Sequence, residues 1–432
     1  MGKYKAILSQ KIETLKETGA FHVIVGSFMT KFASFFGSIF IVRLLTKSEY
    51  GILSYYENFM GYFFIFAGFG LDMALLRYQV LADELPMRKG CFRHALRDGS
   101  LWNAVLVTLG LLTVLFFPHK EAFRGHFLTG AFLMICIPFI FLQNASLHTL
   151  RGLYENKKYA VLAFGIALFQ ITARVLGAAF GGLDLTVGAR LAAEILCAAV
   201  CVLFVSRNYF SAVEAKPMEK KQKKEMDIYS IQIMLTNGLW TVFMLNDVFL
   251  LGQFSGNEQV LADYKIAYVI PANLSILVAA VGIFVAPYFT KYDKEGNYGW
   301  IREKLQIVLI ITMSVMGAIV LLCSVLAKPI ITLIFGETYL SAVPIMRLLL
   351  IASFFNNGIR SSIANVLSAV GEQKLNLYVA GGGMALQVLM DCLLIPRFGG
   401  LGVAVSSVSV YIAMSLALGF IVRKRYYSEK LL

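Results

Sequence analysis

Apolar segments of about 20 residues recur along this whole chain, and lysine and arginine gather in every second loop between them. Of the 432 residues, 58% are hydrophobic and only 15% are charged, with a mean hydropathy of +0.71. A run of about 20 apolar residues crosses the hydrocarbon core of a bilayer. Backbone polar groups in hydrocarbon must be satisfied within each segment, so the predicted fold class is an all-α integral membrane protein.

The apolar segments predict about twelve transmembrane helices. Their approximate limits are 20–45, 51–78, 95–117, 126–150, 159–180, 186–206, 229–254, 260–289, 305–327, 341–367, 375–395 and 401–422. Little of the chain remains for a water-soluble domain.

The positive charges of the loops predict the orientation. Of the lysines and arginines in the loops and at the ends of the spans, 27 fall on one side of the membrane and 6 on the other. Basic loops stay on the cytoplasmic side, so we expect both termini in the cytoplasm. These loops also account for the net charge of +13 through topology and contact with anionic lipid, and we therefore predict no nucleic-acid partner.

A basic linker near the middle of the chain divides the predicted spans into two sets of six. The expected order is a cytoplasmic amphipathic segment (1–19), a six-helix lobe (20–206), a basic cytoplasmic linker (207–228), a second six-helix lobe (229–422) and a cytoplasmic tail (423–432).

The two halves resemble each other weakly, which suggests an internal repeat. Residues 155–158 and 181–183 flank one span as residues 372–374 and 399–401 flank another. Residues 48–51 open the second span as residues 257–260 open the eighth. Repeats with a binding site at their interface are typical of transporters.

Several charged residues lie inside the predicted spans. A charge at the centre of a span costs roughly 2.5–3.5 kcal/mol on insertion scales, so a set of them predicts a polar interior or a water-filled cavity. They include the acids Glu57, Glu194, Asp247 and Asp391 and the bases Lys31, Arg174, Arg190, Lys265, Arg347 and Arg360. Arg174 and Asp391 occupy equivalent positions in the two halves.

The signs of these charges suggest two roles. We take Lys31, Arg174 and Arg360 as buried cations without matching acids nearby and expect them, with Lys265, to contact an anionic substrate. Lys265, like Arg190 and Arg347, lies closer to the end of a span and has the alternative of extending its charged group to the membrane interface. Glu57, Asp247 and Asp391 are expected either to carry a coupling ion or to pair with interior cations.

No motif of an enzyme or a metal site stands out. The six cysteines lie mostly in apolar runs, without metal-ligand spacing, and no nucleophile–base arrangement is visible. We predict no catalytic residue, no metal site and no cofactor.

Four segments, taken in order, resemble the oligosaccharide flippases of the O-antigen and capsule (Wzx) type. These flippases belong to the multidrug/oligosaccharidyl-lipid/polysaccharide exporter superfamily. The segments are R-L-L-T-K-S-E-Y-G (43–51), G-F-G-L-D with R-Y (68–72, 77–78), N-D-V-F-L-L-G (246–252) with Y-K-I-A-Y (264–268), and L-I-P-R-F-G-G-L-G (394–402). Ala262 and Val248 depart from the family, which often has glycine and a basic residue there.

The resemblance implies a V-shaped pair of lobes that alternate between inward-open and outward-open forms. The implied function is to flip undecaprenyl-diphosphate-linked oligosaccharide from the inner to the outer leaflet of the bacterial plasma membrane, for surface polysaccharide biosynthesis. Expected partners are the lipid-linked oligosaccharide, the bilayer and other glycan-assembly membrane proteins. Coupling to protons, to sodium or to the membrane potential is left open.

Two other functions remain as alternatives. A multidrug or cation antiporter of the same superfamily would need an acidic cavity, whereas cations in these spans at least equal the acids. A membrane glycosyl polymerase would need a catalytic site on its outer face, commonly on a long loop, and the outer loops here are short.

Overall fold

The computed structural model describes residues 20–426, except for the side chains of residues 20, 21, 24, 276–284 and 287. The predicted amphipathic segment 1–19 and the end of the predicted tail, 427–432, lie outside the described residues. Every regular element in the described part is helical, which confirms the all-α fold class.

The first half contains seven helices and the start of an eighth. They are α1 (Ala20–Leu44), α2 (Lys47–Phe64), α3 (Leu71–Leu81), α4 (Leu85–Phe116), α5 (Glu121–Arg124), α6 (Phe127–Gly152), α7 (Asn156–Tyr209) and α8 (Lys220–Ser255). A 3₁₀ turn, Ala67–Gly70, connects α2 to α3.

The second half contains the remaining helices. They are α9 (Glu258–Asn273), α10 (Ser275–Lys294), α11 (Tyr298–Val325), α12 (Ala327–Ile334), α13 (Ala342–Ser353), α14 (Ser361–Ala369), α15 (Gln373–Phe398) and α16 (Gly400–Tyr426). A π-helical segment, Phe354–Arg360, joins α13 to α14, and a 3₁₀ turn, Glu337–Tyr339, precedes α13.

The predicted spans correspond to these helices with three adjustments. Among the described residues, nine helices are long and apolar enough to cross a membrane, or ten if the bent pair of α2 and α3 is one span. The 54-residue helix α7 is interrupted at Gly181 and Gly182, where the backbone leaves helical geometry, so it contains two predicted spans. The eighth predicted span falls on α9 and α10.

The chain forms two compact units, one ending at Leu245 and the other beginning at Asn246. In the first unit α7 packs along α1 and α6, over a core that includes Leu75, Phe141 and Leu150. In the second unit α16 packs against α13 and α15, and the core includes Leu305, Leu367 and Leu418.

The second predicted span is broken where its glycines lie. Gly68, Phe69 and Gly70 all have positive φ (54°, 51° and 74°), and the helices on either side are bent by 47°. The break is held from outside, because the side-chain oxygen of Asn103 accepts the Gly68 N–H at 2.7 Å and Phe69 stacks on Trp102. A Cβ at Gly68 would overlap the ring of Phe141, so only glycine fits this position.

Candidate functional site

Glu49 links the start of α2 to the interruption in α7. It closes a capping box with Thr46, which satisfies free N–H groups at the start of α2. Its other carboxylate oxygen accepts the N–H of Leu183 at 3.1 Å, just after the interruption. The turn at residues 43–51 therefore has a structural role, because it fixes the interruption of α7 against the start of α2.

Two arginines from the two halves of α7 meet a single glutamate of α2. Arg174 Nη2 lies 2.5 Å and Arg190 Nη1 lies 2.6 Å from the same oxygen, Glu57 Oε1. The side chain of Glu57 is 28% exposed and that of Arg190 is 13% exposed, so most of the surface of both side chains is buried within the protein. The expectation that Arg174 lacks a matching acid is wrong, because Glu57, distant in sequence, supplies one.

A second acid in the same unit is held mainly by amides. Glu194 Oε2 accepts hydrogen bonds from Gln143 and Gln170, both at 2.7 Å, and Gln170 also donates to Gln143. Arg190 Nε is 3.9 Å from Glu194, a long ion pair. The network of Glu57, Gln143, Gln170, Arg174, Arg190 and Glu194, which we call the first-unit network, thus balances two positive charges with two negative ones.

A cavity of about 250 Å³, which we call the first-unit cavity, opens beside this network. Its lining includes Tyr50, Glu57, Gln170, Arg174 and Arg190 together with Ser34 and Ser38 of α1. The Nε atom of Arg174 is buried and has no hydrogen-bond acceptor among the described residues. A buried guanidinium donor without an acceptor is costly, so the cavity is suited to a ligand that brings an oxygen to it.

The second unit places two acids around one amide. Gln387 Nε2 lies 3.2 Å from Asp247 Oδ1 and 3.3 Å from Asp391 Oδ2, and Tyr264 donates its hydroxyl to Asp247 at 2.9 Å. Asp391 has no exposed surface. Within residues 20–426, no lysine or arginine forms an ion pair with either acid.

Arg360 lies at the end of the π-helical segment. It donates to Asn356 at 2.6 Å and to Ser361 at 3.3 Å, and its guanidinium lies 5.9 Å from the ring centre of Tyr411. Wide helical turns of this kind often occur at functional sites. Arg360 is partly buried in the second unit, and Asn356, Ser361 and Tyr411 are among its neighbours.

Lys31 and Lys265 are not among the residues that line the first-unit cavity. Lys31 is exposed on α1, three residues before Ser34 and seven before Ser38, and so shares the helical face that lines the first-unit cavity. Lys265 is half-buried on α9, next to Tyr264 in sequence. The structure therefore brings Arg174 and Glu57 together, and it brings Asp247 and Asp391 together. The four predicted anion-binding residues are divided between the units: Lys31 and Arg174 belong to the first, and Lys265 and Arg360 to the second.

The equivalence of Arg174 and Asp391 extends further than the sequence suggested. Each lies eighteen residues after the start of its helix and four residues after a glutamine, Gln170 or Gln387. In both units this glutamine bonds to an acid. Both units therefore contain a glutamine that bonds to an acid and, four residues later, a charged residue. That residue is Arg174 in the first unit and Asp391 in the second.

The predicted alignment of the turns at the start of the second and eighth spans is shifted. Thr46 and Asn257 are the two N-caps, so Glu49 corresponds to Val260 rather than to Glu258. Val260 lies beside Gly399 and Gly400, as Glu49 lies beside Gly182 and Leu183. The sequence alignment paired Glu49 with Glu258 because both are acidic. The feature that the two turns share is the N-cap residue, and alignment on the N-caps pairs Glu49 with Val260.

A comparison with known proteins identifies the family. The sequence profile described as "polysaccharide biosynthesis protein" matches residues 18–293, more than half of the chain. The chain belongs to this family. It is also 22% identical over 402 residues to an "uncharacterized membrane protein" of Methanocaldococcus jannaschii, covering 87% of this chain and 78% of that one.

Solved structures of low sequence identity share this fold. An inward-facing multidrug resistance MATE family transporter of the MOP superfamily aligns with a TM-score of 0.72 and 14% identity, over 93% of this chain and 96% of that one. The lipid II flippase MurJ, in an inward closed conformation, aligns with a TM-score of 0.69 and 17% identity, over 93% and 87%. The protein is therefore a multi-pass membrane protein with the MOP superfamily fold.

Proposed function

We propose that this protein flips undecaprenyl-diphosphate-linked oligosaccharide from the inner to the outer leaflet of the bacterial plasma membrane, by alternating access, for surface polysaccharide biosynthesis. In this proposal both termini are cytoplasmic. The lipid tail stays in the bilayer, and other glycan-assembly membrane proteins supply and consume the substrate.

The observation that carries the proposal is the pair of guanidinium groups on one oxygen of Glu57. Arg174 keeps a buried Nε donor free of acceptors among the described residues, next to a cavity. Guanidinium groups bind phosphate oxygens through paired, charge-assisted hydrogen bonds. A diphosphate would satisfy this donor and compete with Glu57 for both arginines.

The size of the cavity limits what it holds. Pockets for drug-sized ligands measure roughly 300–1,000 Å³, so about 250 Å³ suits a small anionic group and not several sugars. We therefore assign the diphosphate to the first-unit cavity and leave the sugars outside it. Lys31, on the same face of α1, would add a cation at the cavity's edge, and Arg360 and Lys265 would act in the second unit.

We assign coupling to the second unit. Asp247 and Asp391 share one amide, and two nearby carboxylates in a poorly solvated place repel each other unless a cation or a proton joins them. Sodium and a proton both meet this requirement. In this proposal Glu57 is a structural partner of the arginines and does not carry the coupling ion.

Single replacements test the anion-binding assignment. R174A, R360A, K31A and K265A would be compared for lipid-linked glycan that reaches the outer leaflet, at matched protein levels. We expect R174A to reduce flipping at least about tenfold, the loss typical of one charge-assisted contact, and R174K to recover only part of it. Full transport by R174A would contradict the assignment of the diphosphate.

A cation antiporter is the second candidate, because the acidic pair Asp247 and Asp391 has no lysine or arginine partner in the part of the chain that the structure describes. For this function, drug efflux and drug resistance would fall in D247N and D391N, while the glycan assay would be unaffected. For the flippase, both variants would lose glycan transport driven by a proton or sodium gradient, and cells would gain no drug resistance from the wild-type protein.

A further inference from the structure

A second pocket, of about 620 Å³, lies in the first unit where the end of α7 meets the start of α4. It is separate from the first-unit network and shares no lining residue with that cavity. Four of its nine lining residues are basic and none is acidic: Lys89, Arg93, Arg97 and Arg207. Lys89 and Arg93 precede the predicted span 95–117, Arg97 lies in its first turn, and Arg207 directly follows the span 186–206, so all four lie at the level at which a helix meets lipid headgroups.

The floor of the pocket is apolar and firmly built. Phe92 and Phe210 are almost fully buried and their ring centres are 5.5 Å apart. Lys89 Nζ donates to the carbonyl oxygens of Phe210 at 2.8 Å and Val213 at 2.6 Å, so it joins α4 to the end of α7. The amine also balances the partial negative charge at a helix C-terminus, which fixes the pocket's shape.

Two of the cations on the rim of the pocket have no partner among the described residues. Arg93 and Arg207 are exposed, and neither forms a hydrogen bond or ion pair with another residue in the described range 20–426. Arg97 is different, because its Nε lies 3.2 Å from Asp98. Ser206 and Ser211 add hydroxyl groups to the same rim.

We propose that this pocket binds the headgroup of an anionic phospholipid from the leaflet on the side of the basic loops. Arg93 and Arg207 hold the phosphate, the serine hydroxyls contact its oxygens, and the first acyl carbons lie on Phe92 and Leu96. An apolar floor under a basic rim at the membrane surface favours a lipid over a soluble anion, and basic pockets between spans bind such headgroups.

The experiment measures lipid binding to the purified full-length protein in detergent. Dioleoylphosphatidylglycerol is titrated and the bound lipid is counted by native mass spectrometry, with dioleoylphosphatidylcholine as the neutral comparison. We expect R93Q/R207Q to weaken phosphatidylglycerol binding by about 30-fold, with little effect on phosphatidylcholine, because two surface cations are removed. R423Q/K424Q makes the same change of charge at two exposed residues of α16 and should leave the affinity within about threefold.

A third variant separates the pocket from its charge. S211W fills the rim of the pocket and keeps every cation, so it should also weaken phosphatidylglycerol binding. Equal losses in R93Q/R207Q and R423Q/K424Q, or no loss in R93Q/R207Q, would overturn the proposal. So would competition by glycerol phosphate, which has no acyl chains, at the same concentration as the lipid. None of these outcomes depends on whether the protein flips an oligosaccharide.

Discussion

At the scale of single residues, Glu57 holds the first-unit network together. It places one carboxylate oxygen between two guanidinium groups that would otherwise repel each other. Removing one member of a buried ion group usually costs more than the group contributes, because it leaves an uncompensated charge behind. Glu57 is partly exposed, so we discount the usual cost.

A double-mutant cycle tests this dependence. We expect E57Q to lower the free energy of unfolding by about 2 kcal/mol and E57Q/R190Q to be more stable than the sum of the two single changes, by at least about 1 kcal/mol. Denaturant unfolding in detergent measures all four proteins of the cycle. Strict additivity would show that the two side chains do not interact.

Glu49 gives a second prediction at this scale. E49A removes the capping-box acceptor and the acceptor of the Leu183 N–H, so we expect a loss of about 1–2 kcal/mol in unfolding free energy. E295A removes an exposed ion pair at a helix end and should change stability by less than about 0.5 kcal/mol. If the two variants are equally stable, the capping contacts contribute nothing measurable.

The sequence predicted the positions of the charged residues in the spans, but not their partners. Arg174 was expected to be buried, yet its contact with Glu57 depends on how α2 packs against α7, which no local pattern reveals. Gln170 and Gln387 were missed because a neutral amide in a span is unremarkable. Their common spacing of four residues before Arg174 and Asp391 was the available signal.

At the scale of elements, the interruption in α7 depends on Gly182. Its φ is +61°, and a Cβ there would lie 2.6 Å from Glu49 Oε1. We expect G182A to destabilise the protein by about 1–3 kcal/mol, because alanine strains the backbone and pushes Glu49 away from Leu183.

Gly165 is the matched control for that change. It lies in the same helix with nothing within 4 Å of its missing Cβ, so G165A should be neutral or stabilise by up to about 1 kcal/mol. Thermal unfolding in detergent, followed by circular dichroism, compares the two variants. A stable G182A protein would mean that the turn can be made without a left-handed residue.

Hydropathy located the spans well but not their internal breaks. The span predicted as 51–78 contains the 47° bend at Gly68–Gly70, since glycines are common in membrane helices and only the Asn103 contact identifies a break. The predicted linker 207–228 also turns into helix from Lys220 onward. Lysine, glutamine and glutamate favour helix, and Asp227 anchors this segment to His94 at 2.9 Å.

At the scale of the whole molecule, the distribution of basic loops is the basis for orientation. We expect the introduced cysteine of K120C to react with a membrane-impermeant maleimide added outside intact cells. The introduced cysteine of K221C should react only after the cells are permeabilised. Both positions are exposed. The wild-type protein, with Cys392 exposed and four cysteines buried, gives the background. The reverse pattern would invert the topology.

The division into two units was expected from the central linker, and the structure locates the boundary elsewhere. The first compact unit ends at Leu245, inside α8, because Ser230 and Leu245 pack against Gly70 and Gly61. The basic charges of residues 207–228 predict a segment outside the membrane. They carry no information about which unit the next helix packs on.

The balance of two arginines against two glutamates has an electrical consequence. Moving one uncompensated charge through a membrane costs or releases about 2.3 kcal/mol for each 100 mV, whereas a cluster whose charges cancel performs almost no electrical work. The first-unit network would then add almost nothing to any gating charge measured for this protein, which would come from a bound ligand, a coupled ion or charged residues outside the network, and variants of the second-unit acids would separate these sources. Voltage dependence would become a way to count the charge of the cargo.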